Sequence, residues 1–127
     1  MPAEPKGSLG LPASRRIKQS REFARIKSGG RRLTLGCLIL NWSLGPEPRP
    51  PRLGVIVSRK VGCAVVRNRA KRLLRESFRL NQARLPASLR LVLVARASIA
   101  SKDFVQVERD FMTALRQARL LTEPTQA

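Results

Sequence analysis

Apolar positions along this chain change their period from segment to segment, and each change marks an element. Ser20 to Ser28 places Phe23 and Ile26 on one helical face, with Ser20 as a plausible N-cap and Gly29-Gly30 as the stop. Leu35 to Trp42 is a compact apolar run of strand length. Four prolines between Leu44 and Pro51 dictate a loop. Leu53 to Ser58 is short and β-branched, which predicts a second strand, and Arg59 to Val61 is expected to pair as an extended piece at the sheet edge. A helical period then runs from Ala64 to Asn81, with Val66, Ala70, Leu73, Ser77 and Leu80 as its core-facing stripe. Leu85-Pro86 breaks it. Arg90 to Arg96 has the composition of a buried strand. Ser101 is the expected cap of a last helix, Lys102 to Leu121, whose stripe is Phe104, Val107, Phe111, Leu115 and Ala118. The order is α-β-β-(β)-α-β-α, a layer of helices on one sheet.

Residues 1–14 are rich in Pro, Gly, Ala and Ser and lack periodicity, so they read as a disordered tail. Residues 15–121 form one domain, and 122–127 a frayed end. No apolar run approaches the ~20 residues of a membrane span, and the N-terminus lacks the apolar core of a signal peptide. The expected location is the cytoplasm. Cys37 and Cys63 form no CxxC pair and read as reduced, small buried residues.

Charge changes the picture most. The net charge is +18 in 127 residues, a field that a polyanion would relieve. RNA, DNA and an anionic membrane surface are the candidates. Eight of the 26 Lys and Arg lie between Arg59 and Arg79. At ~100° per residue, Asn68, Lys71, Arg72, Arg75 and Arg79 share the helix side opposite the apolar stripe, with Arg67 and Arg69 on the shoulders. Glu76 is the one acid there, an expected partner of Arg72 or Lys71. Guanidinium forks suit phosphate and can stack on bases, and Asn68 adds amide contacts. Arg15, Arg16 and Lys18 lead a second basic strip into the first helix, where Phe23 lies among Arg21, Arg25 and Lys27. Phe23 is either core or a platform for a single-stranded base. Phe78, Phe104 and Phe111 follow helix stripes and read as core.

The chemistry of cleavage is missing. The chain has no histidine and no tyrosine, and its eight carboxylates include no convincing pair. Asp103, Glu108 and Asp110 share the last helix, but their angles do not converge on a two-metal site. No nucleotide-binding loop or Ser/Cys–His constellation is present. The basic face should bind rather than cut.

Arg67-Asn68-Arg69, followed by Lys71-Arg72 and Arg75-Glu76, resembles the RNR signature of the bacterial ribonuclease P protein component. Leu53-Gly-Val-Ile-Val-Ser-Arg-Lys-Val-Gly62 resembles the family's strand leading into that helix, and Ser20 to Gly30 its first helix. The resemblance implies an α+β fold: one α-β-β-β-α-β-α sandwich on a mixed four-stranded sheet, with a left-handed crossover, like a ribosomal-protein domain. It implies a subunit that assists hydrolytic removal of the 5′ leader from precursor tRNA. A catalytic RNA would hold the Mg²⁺ ions, and no obligate protein partner is expected. Carried onto this chain, Arg59, Lys60, Arg67, Asn68, Arg69, Lys71, Arg72 and Arg75 contact the ribonuclease P RNA. Phe23 and Lys27 line a leader cleft between the first helix and the sheet. Lys27 stands where some members have a second aromatic. Asn41 occupies a cleft position that can be aromatic, with Trp42 beside it on the other face. The alternative is a ribosome- or RNA-associated binding protein of the same fold with no part in cleavage.

Overall fold

The computed structural model describes residues 16–17, 20–46 and 48–121, the side chains of residues 20, 22, 23, 27 and 28 excepted. The expected tails, 1–14 and 122–127, lie outside the described residues. Helix α1 (Ser20–Gly29) is followed by strands β1 (Arg31–Leu35), β2 (Leu38–Leu44) and β3 (Arg52–Ile56). Helix α2 (Ala64–Asn81), strand β4 (Leu89–Ala95) and helix α3 (Phe104–Gln117) complete the fold. The sheet order is β1-β2-β4-β3. β1–β2 and β2–β4 are antiparallel and β3–β4 is parallel, so α2 is the crossover between parallel neighbours.

Two of the expected strands change. The apolar run starting at Leu35 is not one strand but the turn and second arm of a hairpin. β1 precedes it, and Gly36 at φ 58° makes the turn. The edge piece at Arg59–Val61 is a 3₁₀ turn, closed by Val61 N–H donating to the Ser58 carbonyl at 3.1 Å. The third strand is therefore β1. A last correction concerns the final helix: it begins at Phe104 under Asp103, not under Ser101. Asp103 accepts from Gln106 N–H (2.8 Å) while the Gln106 side chain accepts from Asp103 N–H (3.0 Å).

The helices cover both faces of the sheet rather than one. α2 and α3 pack on the face carrying Leu38, Leu40, Trp42, Leu53, Leu91 and Leu93. The centre of this core is Leu74, Phe78 and Phe111, all fully buried. Burial contributes roughly 1.5–3 kcal/mol for each such side chain. On α2 the buried stripe is Ala70, Leu74, Ser77 and Phe78. Leu80, expected to face inward, is 51% exposed, and Val66 and Leu73 sit at the stripe's margin. Buried Ser77 donates its hydroxyl to the Leu73 carbonyl, 3.0 Å away. On α3, Val107, Phe111 and Leu115 are buried and Phe104 only half-buried. Among the described helices α1 is the one on the opposite face, where its Ile26, with Ile17 from the segment before it, packs on Val92.

Candidate nucleic-acid interface

The end of the sheet where β3 and β4 finish gathers the basic residues. β3 runs into the Arg59–Val61 turn and β4 into a second 3₁₀ turn, Ala97–Ser101, and the two turns pack together. Gly62 then leads into α2 with φ 152°, where a Cβ would meet Val66 Cβ in a tight contact at 3.1 Å. Arg59 and Lys60 are exposed beside the start of α2.

Along α2 the cations separate into strips of different character. Asn68, Arg69 and Arg72 are exposed, whereas Arg67, Lys71 and Arg75 are half-buried along one flank. That flank approaches the extended segment at Arg16, which bridges to Leu53 on the outer edge of β3. Burial, and then the charge of Arg16, push the Arg75 pKa down, so both act against its charged form. Arg67 Nε is buried without a hydrogen-bond partner. On the other flank Arg69 donates to the Lys102 carbonyl (2.7 Å), tying α2 to the segment before α3. Glu76 does not pair with Arg72 or Lys71, as expected, but with Arg79, in a two-pronged contact at 3.0 and 2.6 Å. Its carboxylate holds the Arg79 pKa above the ordinary value. The single acid of the helix is thus taken by its last arginine and not by Arg72.

Part of the α1 face of the sheet is left uncovered by the described residues, and this strip is the candidate groove. By strand alternation, Ile56, Val94, Ile39 and Thr34 form one register row on this face. The three aliphatic members are half-buried and Thr34 is exposed, so the row is an apolar floor open beside α1. Its β3 end leads to Arg59 and Lys60. Phe23 and Lys27 belong to α1, and their side chains lie outside the described residues. Asn41 does project toward α1, but it is 2% exposed beneath the helix, while Trp42 enters the opposite core. The reachable floor is therefore aliphatic. Its signal in the sequence was alternation within strands that also bury their other face, which reads as a continuous apolar run.

Four acidic side chains are described with partners, and all four hold the fold. Asp103 caps α3, Glu76 holds Arg79, Glu108 accepts from Asn81 Nδ2 (2.9 Å) and Asp110 accepts from Cys37 N–H (3.0 Å). Among the described residues no three Cys, Asp or Glu side chains gather as metal ligands. The two cysteines differ. Cys37 is buried, and burial, then the Asp110 hydrogen bond, push its thiol up to about 12. Cys63, expected to be buried, is exposed at the N-cap of α2, where the N–H groups of Val66 and Val65 lower its pKa. No helix among the described residues is long and apolar enough to cross a membrane.

Comparison with known proteins gives the family and the fold. The family model for ribonuclease P matches residues 11–119. A ribonuclease P protein component of Chloroflexus aurantiacus is 40% identical over 112 residues, covering 87% of this chain and 82% of its own. One from Alkaliphilus metalliredigens is 29% identical over 88% of this chain and 100% of its own. The solved ribonuclease P protein of Staphylococcus aureus superposes with a TM-score of 0.78 at 27% identity, covering 85% of this chain and 98% of that one. That of Thermotoga maritima superposes at 0.72 and 28%, covering 80% and 96%. With Asn68, Arg69 and Arg72 exposed on α2, the described carboxylates paired within the fold, and a family match along nearly the whole chain, the protein belongs to the ribonuclease P protein component family.

Proposed function

We propose that this chain serves its ribonuclease P by docking α2 on the catalytic RNA and guiding the 5′ leader of precursor tRNA along the groove beside α1. The observation that carries the reading is the division between the two surfaces. Asn68, Arg69 and Arg72 stand exposed on a rigid helix, with Arg59 and Lys60 at its start. Arg67, Lys71 and Arg75 add a half-buried cationic flank that a phosphate backbone would relieve. The groove supplies an apolar floor of Ile39, Val94 and Ile56, suited to the sugar and base faces of a single strand. Phe23 and Lys27, from α1, are assigned to the same groove. Cleavage and the Mg²⁺ that promotes it are assigned to the RNA. The described carboxylates are occupied by structural partners, so the chain's part is to bind, orient and neutralise. The setting is the cytoplasm.

The test is reconstitution. The purified protein alone should leave precursor tRNA intact, and with a bacterial ribonuclease P RNA it should support 5′-leader removal at low Mg²⁺. Cutting by the protein without RNA overturns the division of labour. Failure to stimulate a cognate RNA that it binds leaves a binding-only member of the fold. Phe23→Ala should weaken substrates with leaders several nucleotides long and spare leaderless tRNA. Equal loss for both would make Phe23 a core residue.

A further inference from the structure

The proline-rich loop between β2 and β3 builds a second cationic site, on the far side of α1 from the groove. Leu53 and Leu91 enter the main core, so Arg52 and Arg90 project from the α1 face of the sheet. They are register partners on the parallel strands β3 and β4, and strand spacing sets their backbones ~4.8 Å apart. Like charges placed directly opposite are an unfavourable sheet pair. The loop adds a third guanidinium. Gly45 N–H donates to the Ser88 carbonyl (2.8 Å) and Ser88 N–H donates to the Arg49 carbonyl (2.7 Å), which folds the loop across the start of β4. Arg90 lies against it: its Nε is 3.8 Å from where a Cβ on Gly45 would stand.

These residues enclose a pocket of about 180 Å³ walled by Arg49, Arg52, Arg90, Pro50, Gly45 and Ser88. Among the described residues that line it none is acidic. At ~30 Å³ per water it holds about six waters, enough for a phosphate and its ester oxygens. One buried polar atom of the lining, Arg90 Nε, lacks a hydrogen-bond partner, as does the hydroxyl of Ser43, the β2 register partner of Arg90 outside the lining. A tetrahedral oxyanion would supply acceptors to Arg90 Nε and to the exposed guanidinium of Arg49.

We propose that this pocket binds a backbone phosphate of RNA, as a contact separate from both the basic helix and the groove. The proposal rests on the reading of the chain as an RNA-binding subunit. The phosphate could come from the ribonuclease P RNA or from the precursor tRNA, and binding to each separately distinguishes them. The experiment compares the full-length protein with Arg49→Ala/Arg90→Ala, titrating each RNA from 50 to 200 mM salt. The double variant should flatten the dependence of log affinity on log salt by about 0.7–0.9 per lost phosphate contact, with one of the two RNAs. Unchanged affinity and slope with both RNAs, while Arg67→Ala still weakens binding, overturns the pocket and leaves the helix assignment standing. If Arg67→Ala also has no effect, both assignments fall. A second measurement needs no RNA. Inorganic phosphate, against chloride at equal ionic strength, should raise the Tm of the wild type more than that of the double variant; an equal rise overturns the proposal. Arg49→Ala alone, on an exposed loop, keeps the test open if the double variant does not fold.

Discussion

Arg72 and Arg79 are both arginines of the basic helix, yet the structure gives them opposite expectations. Arg72 is exposed, and the acid one turn beyond it, Glu76, is already engaged by Arg79 at 2.6 Å. In the free protein Arg79 is locally neutralised, so docking RNA against it would displace few counterions. Arg72 enters with its full charge. Each phosphate neutralised contributes about 0.7–0.9 to the slope of log affinity against log salt. Arg72→Ala should therefore lower the slope for ribonuclease P RNA by nearly one. Between 50 and 200 mM salt, a fourfold change, that contact is worth about a threefold change in affinity. The variant's deficit should thus be larger at 50 mM and shrink about threefold by 200 mM. Arg79→Ala should shift the slope by much less. Glu76→Gln should steepen it, because it releases Arg79. Fluorescence-polarisation titrations at constant low Mg²⁺ measure all four proteins. Arg72 is exposed, and such a substitution usually changes stability by within about 0.5 kcal/mol; matched thermal unfolding checks folding in all three variants. If Arg79→Ala costs a full unit of slope and Arg72→Ala none, the exposed ridge through Asn68 and Arg72 is not the RNA face.

Four further predictions concern the core and the cysteines. Asp110→Ala leaves the buried Cys37 N–H without its acceptor, which should cost about 1–3 kcal/mol in urea unfolding; an unchanged midpoint would show that the turn relaxes freely. Gly36→Ala should destabilise the same joint from the other side, since Gly36 has φ 58° and a Cβ there would run into the Asp110 carboxylate. Iodoacetamide should label Cys63 with a pH midpoint below the ordinary 9.0 and leave Cys37 unlabelled until the protein unfolds, which mass spectrometry of the two peptides reads directly. Because the Cys37 pKa is raised on folding, its contribution is intact below about pH 9 and is lost as pH rises toward 12, so Cys37→Ala should flatten the alkaline fall in stability.

The helix bounds Ala64 and Asn81 are those its periodicity predicts, because the segment carries both a start at Gly62 and a long apolar repeat. The stripe's centre was harder to read. Leu73 and Leu74 lie ~100° apart on the helix, and packing against Phe111 and the sheet turns the buried stripe toward Leu74 and Phe78 and away from Leu73 and Leu80. β1 was illegible for a different reason. It is an edge strand with Arg31, Arg32 and Thr34 in solvent, so only Leu33 and Leu35 carry a signal, and the turn that separates it from β2 is a single Gly36-Cys37 step inside an apolar run. The site divides the same way. The cations of α2 were visible as a set because helical angles place them from sequence alone, but which of them are already spent was not. That Glu76 chooses Arg79, and that Arg69 reaches Lys102, depends on side-chain geometry and on an element 33 residues away. The Arg52–Arg90 juxtaposition was least accessible of all, since it needs a parallel register between strands separated by the whole of α2. Sequence thus shows where charge is concentrated, and tertiary pairing decides which charges remain for RNA.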